Sequence, residues 1–232
     1  MSNELILVVS LVLLYGSVPL WYKLFGKTGL YCFIAFTTVV ANIEVMILVE
    51  AFSLEQTLGN VLFATTFLAT DMLSEFENRE SADKAVNIGI AASIMFIMIS
   101  QLWLLYTPSQ NDWASESFHV IFSSTPRIMF ASVVVYAVAQ KLDVWLYHKW
   151  WNFTAKKMGD SRKMLWVRNN FSTLVSQLVN TILYNLFAFG GVYSGETLLS
   201  IIAAGYVVFI VTSICDTPVM YFARYLREKG KL

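Results

Sequence analysis

Asn169, Thr173, Ser176, Gln177, Asn180 and Tyr184 recur three and four residues apart in a largely apolar stretch. On a helix that spacing puts all six on one face, with Arg168 and Asn170 at its entrance. Two kinds of chemistry suit such a stripe. Amides and hydroxyls can bond to neighbouring helices, at ~1 kcal/mol each inside a membrane, or they can line a pocket for a polar solute. Six polar residues exceed what packing needs, so the pocket is the stronger reading. Asp71 and Glu75, four apart, share a second helix face. Asp71 lies deeper in its apolar run and reads as functional, whereas Glu75 either joins it or pairs with the charged residues 77–84. Tyr136, Gln140 and Asp143 form a third stripe. Asp143 either walls the same pocket or pairs with Lys141 and the basic loop beyond it. Asp216 precedes Thr217-Pro218, and a proline within a helix frees a carbonyl and kinks the chain. Asn42 and Glu44 point to different faces, so at most one lines the pocket.

Enzyme chemistry finds little support. His119 and His148 lie outside the apolar spans set out below and on opposite sides of the membrane, and no nucleophile elbow, phosphate-binding glycine loop or paired-histidine motif occurs. One acidic pair, Asp71 with Glu75, has no second to hold magnesium pyrophosphate. No catalytic residue, metal or cofactor is expected. Cys32 and Cys215 sit in apolar runs and read as buried small hydrophobes.

Elements of one kind must position these side chains. The chain has 232 residues, 57% hydrophobic and 14% charged, with zero net charge; a soluble domain is ~25% charged. This composition excludes a disordered chain and a disulfide scaffold, and the charge balance argues against a nucleic-acid partner. Spanning a ~30 Å hydrocarbon core takes ~20 helical residues. Seven apolar stretches meet that length: residues 5–22, 29–49, 57–74, 85–106, 128–147, 171–192 and 198–223. They are twice the length of barrel strands and do not alternate. The expectation is therefore an all-α, polytopic transmembrane helical bundle of seven spans, a single domain over residues 1–232. All of the 16 basic residues except Arg127 fall in loops or ends on one side of this arrangement. Positive loops face the cytoplasm, which puts the N-terminus outside and the C-terminus inside the cell membrane. Met1–Glu4 has no positive charge, so the first run reads as a retained helix rather than a signal peptide. Trp21, Tyr22, Tyr31, Trp103, Tyr106, Tyr147, Trp150 and Trp151 stand at span ends as interfacial anchors. The loop 107–126 is a connector, or a lid over an outward-facing site.

Several segments carry a more specific signal. They are Ala41-Asn42-Ile43, residues 67–75 (Phe-Leu-Ala-Thr-Asp-Met-Leu-Ser-Glu), residues 82–86 (Ala-Asp-Lys-Ala-Val), Leu142-Asp143-Val144, residues 166–177 (Trp-Val-Arg-Asn-Asn-Phe-Ser-Thr-Leu-Val-Ser-Gln) and Asp216-Thr217-Pro218. In this order, over roughly residues 41–226, they resemble the signatures of the queuosine precursor transporter family, a vitamin-uptake-transporter-like group. The resemblance implies import of 7-cyano- or 7-aminomethyl-7-deazaguanine, and a fold related to the substrate-binding S-components of energy-coupling-factor importers. It implies that Asp71 and Glu75 accept from the base, that Asn169, Asn170 and Gln177 orient it, and that Arg168 orders the site or its gate. Phe67, Phe171 and Tyr184 are the stacking candidates, at ~1–3 kcal/mol per ring. The chain departs from the family pattern at Asn180, where an aspartate is common, and at Glu50 and Phe209, near places where lysines occur. Glu77-Asn78 replaces a Tyr-Gly, and Asn78 is a residue that tolerates a left-handed turn. The expected partners are a deazapurine and the bilayer, with a homo-oligomer or an energising module left open. The competing readings are an S-type subunit of an ATP-driven vitamin importer, a membrane enzyme acting on a lipid, and an assembly subunit without a ligand. The first span has no alanine for small-residue docking, which favours a stand-alone carrier over the subunit.

Overall fold

A computed structural model describes residues 2–123, 126–159, 163–230 and 232. Arg162 and Lys231, counted above among the basic residues, lie outside them, as do residues 124–125 of the long loop. The order is α1 Asn3–Glu44, β1 Leu48–Ala51, β2 Leu54–Thr57, α2 Gly59–Phe76, α3 Arg79–Trp103, α4 Ser115–Ser123, α5 Pro126–Met158, α6 Leu165–Phe189 and α7 Gly195–Glu228. The protein is all-α apart from one small hairpin.

The first two expected spans are two helices within Asn3–Glu44 that meet at Gly26, with Trp21 packed on Phe33 across the joint at 5.8 Å between ring centroids. Residues 23–28 offer a single breaker, Gly26, and the chain crosses it with a kink at φ 60, ψ −151, a region open essentially to glycine alone. The second half ends at Glu44 rather than residue 49, and Val45 caps it. Residues 48–57 then form an antiparallel hairpin with Leu48 opposite Thr57 and Ala51 opposite Leu54. Its two turn residues, Phe52 and Ser53, both have positive φ, as a tight hairpin turn requires. The Asn3 side chain donates to the Glu50 carbonyl at 2.9 Å, so the hairpin lies against the start of α1.

The long loop is more than a connector. Asp112 accepts from the backbone N–H groups of Ala114 (2.7 Å) and Ser115 (2.8 Å) and from the Ser115 hydroxyl (2.8 Å). The Ser115 bonds, then the Ala114 bond, hold its carboxyl below the usual range and start α4. Phe118 and Phe122 of α4 pack on Trp103 of α3 at 5.7 and 5.6 Å between ring centroids, so Trp103 anchors α4. Asn78 is not left-handed. It is extended (φ −169) and caps α3, accepting from the Ser81 N–H at 2.8 Å. α5 continues past residue 147 to Met158, where Lys156 and Lys157 suit the negative end of the helix dipole.

α2 is the central element, packed by α1, α3, α5 and α7, and 15 of its 18 residues are buried. α5 lies on α6, and α6 on α7. The polarity of the bundle is inverted relative to a soluble one. Val12, Leu13, Phe36, Phe130, Leu199 and Ile214 are exposed, while Arg168, Asp71, Asp143, Gln140 and Asp216 are fully buried. Only a hydrocarbon solvent makes that arrangement favourable. α1, α3, α5 and α7 are long and apolar enough to cross a membrane; α2 and α6 are the polar inner pair. Cys32 is exposed on the apolar surface and Cys215 is half-buried, against the expectation of buried positions.

Candidate substrate site

Of the twelve buried residues of α6, nine are polar: Arg168, Asn169, Ser172, Thr173, Ser176, Gln177, Asn180, Thr181 and Asn185. Its apolar residues Phe171, Val175, Leu178, Ile182 and Leu186 are turned out. The stripe therefore faces the core, and it meets a different partner at each level.

At its start Arg168 is fully buried and stacks on the Trp151 ring, 4.4 Å from the centroid. Its Nε and Nη2 donate to Glu75 at 2.8–3.0 Å, and Nη1 donates to the Lys163 carbonyl at 3.0 Å. The Tyr147 hydroxyl donates to Glu75 Oε2 at 2.8 Å, and Arg224 of α7 lies 3.4 Å from Oε1. Glu75 is thus held by α5, α6 and α7 at once and has no oxygen left for a ligand. It pairs with Arg168, not with the nearby loop at 77–84.

One turn deeper the pattern reverses, and buried groups lack partners. Asp71 is fully buried; Oδ2 accepts from Thr173 at 3.5 Å and Oδ1 from nothing. Asp143 accepts from Ser176 at 2.9 Å on Oδ1, and its Oδ2 is unpartnered. It faces this cluster, and Lys141 is exposed elsewhere. The Asp71 and Asp143 carboxyls face each other in this cluster, and two ionised carboxylates offer each other only acceptors. Both oxygens of Asp216 lack a partner, with the buried Tyr15 of α1 facing them. Both polar atoms of Asn169 and both of Gln177 are unpartnered as well. These two stand four residues before and after Thr173, on the face that meets Asp71. Buried polar atoms are almost always paired, so a concentration of orphans marks a place where something polar is meant to sit.

Above this level lies a cavity of about 850 Å³. Asn180, Tyr184 and Asn185 of α6 line it, together with the hairpin, Val120 and Ile121 of α4, and the first half of α7. Phe63 and Phe209 lie at its base, 6.4 Å apart between centroids, and Phe67 packs on Phe63 at 5.4 Å.

The remaining expected residues are engaged elsewhere. Asn170 donates to Thr217 at 2.5 Å and accepts from Ser213 at 3.4 Å, locking α6 to α7. Asn42 donates to Thr38 and to Ser93 of α3. Gln140 exchanges bonds with Thr66 and Thr70, tying α5 to α2. Phe171 is half exposed and packs on Trp150, away from the cluster. Tyr15 was missed because the first span carries no charge. Its position in mid-span rather than at the interface was the available signal. Tyr147, expected as an interfacial anchor, also binds Glu75.

A membrane bundle with orphaned polar groups beneath a cavity defines a solute-handling membrane protein. Residues 57–223 match the family model described as "Putative vitamin uptake transporter". The "Probable queuosine precursor transporter" of Bacillus subtilis (strain 168) is 36% identical over 207 residues, covering 89% of this chain and 88% of that protein. No solved structure matches the chain. The chain belongs to the vitamin uptake transporter family, a family of membrane transporters and not of enzymes.

Proposed function

We propose that this transporter imports a queuosine precursor, a 7-deazaguanine, across the cytoplasmic membrane. The observation that carries the reading is the orphaned set Asp71, Asn169 and Gln177 below the cavity. A guanine-type edge offers two adjacent N–H donors, which one carboxylate accepts, and a carbonyl that an amide donates to. Asp71 takes the donors, Asn169 and Gln177 orient the base, and Asn180 meets it at the cavity. Asp143 and Asp216 complete the polar wall. Arg168 with Glu75 seals the far end, Asn170 fixes α6 on α7, and Asn42 fixes α1 on α3. The flat ring stacks among Phe63, Phe67 and Phe209.

The chain crosses the membrane seven times in this reading: twice in α1, about Gly26, and once each in α2, α3, α5, α6 and α7. The bias of basic residues sets the hairpin, α4 and the cavity outside and the Glu75 end in the cytoplasm. The kinship with S-component folds belongs to the same reading. The test is uptake by cells unable to make the precursor, with this protein as their sole importer. Queuosine in their tRNA after feeding with 7-cyano- or 7-aminomethyl-7-deazaguanine is the expected result. Its absence with both bases overturns the proposal.

A further inference from the structure

The cluster holds more carboxyl groups than a neutral base needs. Asp71, Asp143 and Asp216 come from three helices and lie within electrostatic range of one another. None is joined to a cation among the described residues. Arg168 and Arg224 are both bound to Glu75, and Glu75, Tyr147, Tyr15 and Cys215 are the other ionisable groups beside the cluster among the described residues. A neutral guanine edge hydrogen-bonds one carboxylate without neutralising any. An ionised carboxylate left unpaired in a dry site is costly, so these groups hold charge only with a cation beside them.

The three carboxylates do not converge on a point. Among the described residues no group of three acidic, histidine or cysteine side chains could hold a metal ion. An organic cation fits this set better than a metal ion does. The unpartnered amides of Asn169 and Gln177, each at least 99% buried, lie on the same α6 face. The ligand must therefore present hydrogen-bonding edges as well as charge. Asp216 differs from the other two in accepting no hydrogen bond within normal distance on either oxygen, with the Tyr15 hydroxyl beside it, and this setting suits an ammonium with three N–H donors.

We infer that the site selects a base bearing a positively charged aminoalkyl substituent, with Asp216 as the seat of the ammonium and Asp71 reading the base edge. This rests on the deazaguanine reading above. A primary alkylamine, like a lysine side chain with its pKa of ~10.4, is charged at neutral pH. Between the two candidate precursors the 7-aminomethyl base is then the preferred ligand.

Binding to the purified full chain in lipid nanodiscs tests this at pH 7. The probes are 7-aminomethyl-, 7-hydroxymethyl- and 7-cyano-7-deazaguanine; the first two differ in charge and hardly in size. The aminomethyl base is expected to bind at least tenfold tighter than either neutral analogue. In Asp216→Asn that ratio should fall towards one. Equal binding of the three bases, or tighter binding of the cyano base, overturns the charge inference and leaves the deazaguanine reading standing. Binding of none of them overturns both. If Asp216→Asn does not fold, the ratio in the unaltered protein still decides.

Discussion

Adjacent residues divide the work along α6. Asn169 turns two unpartnered atoms to the carboxylates, while Asn170, about 100° round the helix, is spent on Thr217 and Ser213. Asn170→Ala is expected to lower stability by about 1 kcal/mol per lost bond, read as a fall in melting temperature, and to move ligand affinity less. Asn169→Ala should do the reverse: tenfold or more in affinity, with melting temperature held or raised, because an unpaired buried amide is removed. Equal effects from the two would mean that the face assignment is wrong. The Arg168–Glu75 pair makes a second case. Removing one partner of a buried pair costs about 3–5 kcal/mol, whereas replacing both by apolar groups is often neutral. Arg168→Met alone should therefore unfold at distinctly lower denaturant, and Arg168→Met with Glu75→Leu should recover most of the loss. A double variant as weak as the single one would contradict this account. The charged and amide residues of the cluster were legible from the sequence because each is costly in lipid. The division between them was not, since it depends on which neighbour α7, α5 or α2 brings opposite each position.

At the level of elements, the polar stripe gives the buried face of α6, and the Asp71-to-Glu75 spacing gives the face of α2 that meets it. Neither needed the fold. What periodicity could not separate was helix from hairpin at residues 45–57. Val45-Met46-Ile47-Leu48-Val49 is a short apolar run that fits either element, and the turn after it has no glycine. The bend in α1 was equally hidden, because a lone glycine between two lysines reads as a loop. Gly26 adopts φ 60, ψ −151, and a Cβ there would meet nothing within 4 Å. Any cost of Gly26→Ala is thus backbone strain, about 1–3 kcal/mol. The expected readout is a lowered melting temperature without a changed preference among ligands. An unchanged melting temperature would show that the kink is not required.

Over the whole molecule, polarity is graded from one end to the other. A cavity bounded by the hairpin, α4 and the ends of α5, α6 and α7 leads down to unpartnered polar groups, and below them the ion pairs of Glu75 close the bundle. A carrier exposing its site to one side at a time needs this combination of an open end and a sealed one. In the proposed orientation, set by the one-sided bias of basic residues, the open end faces outside. Asn180 lines the cavity and lies about one helical turn from Gln177, so it reports on access. With Cys32 and Cys215 replaced by serine, Asn180→Cys should react with a membrane-impermeant maleimide applied to intact cells, and a bound deazaguanine should slow that reaction. Reaction only after the membrane is permeabilised would reverse the orientation while leaving the site in place. Reaction at the same rate with and without a base known to bind would separate the cavity from the site, because a ligand seated on Gln177 and Asn169 stands between Asn180 and the seal at Arg168.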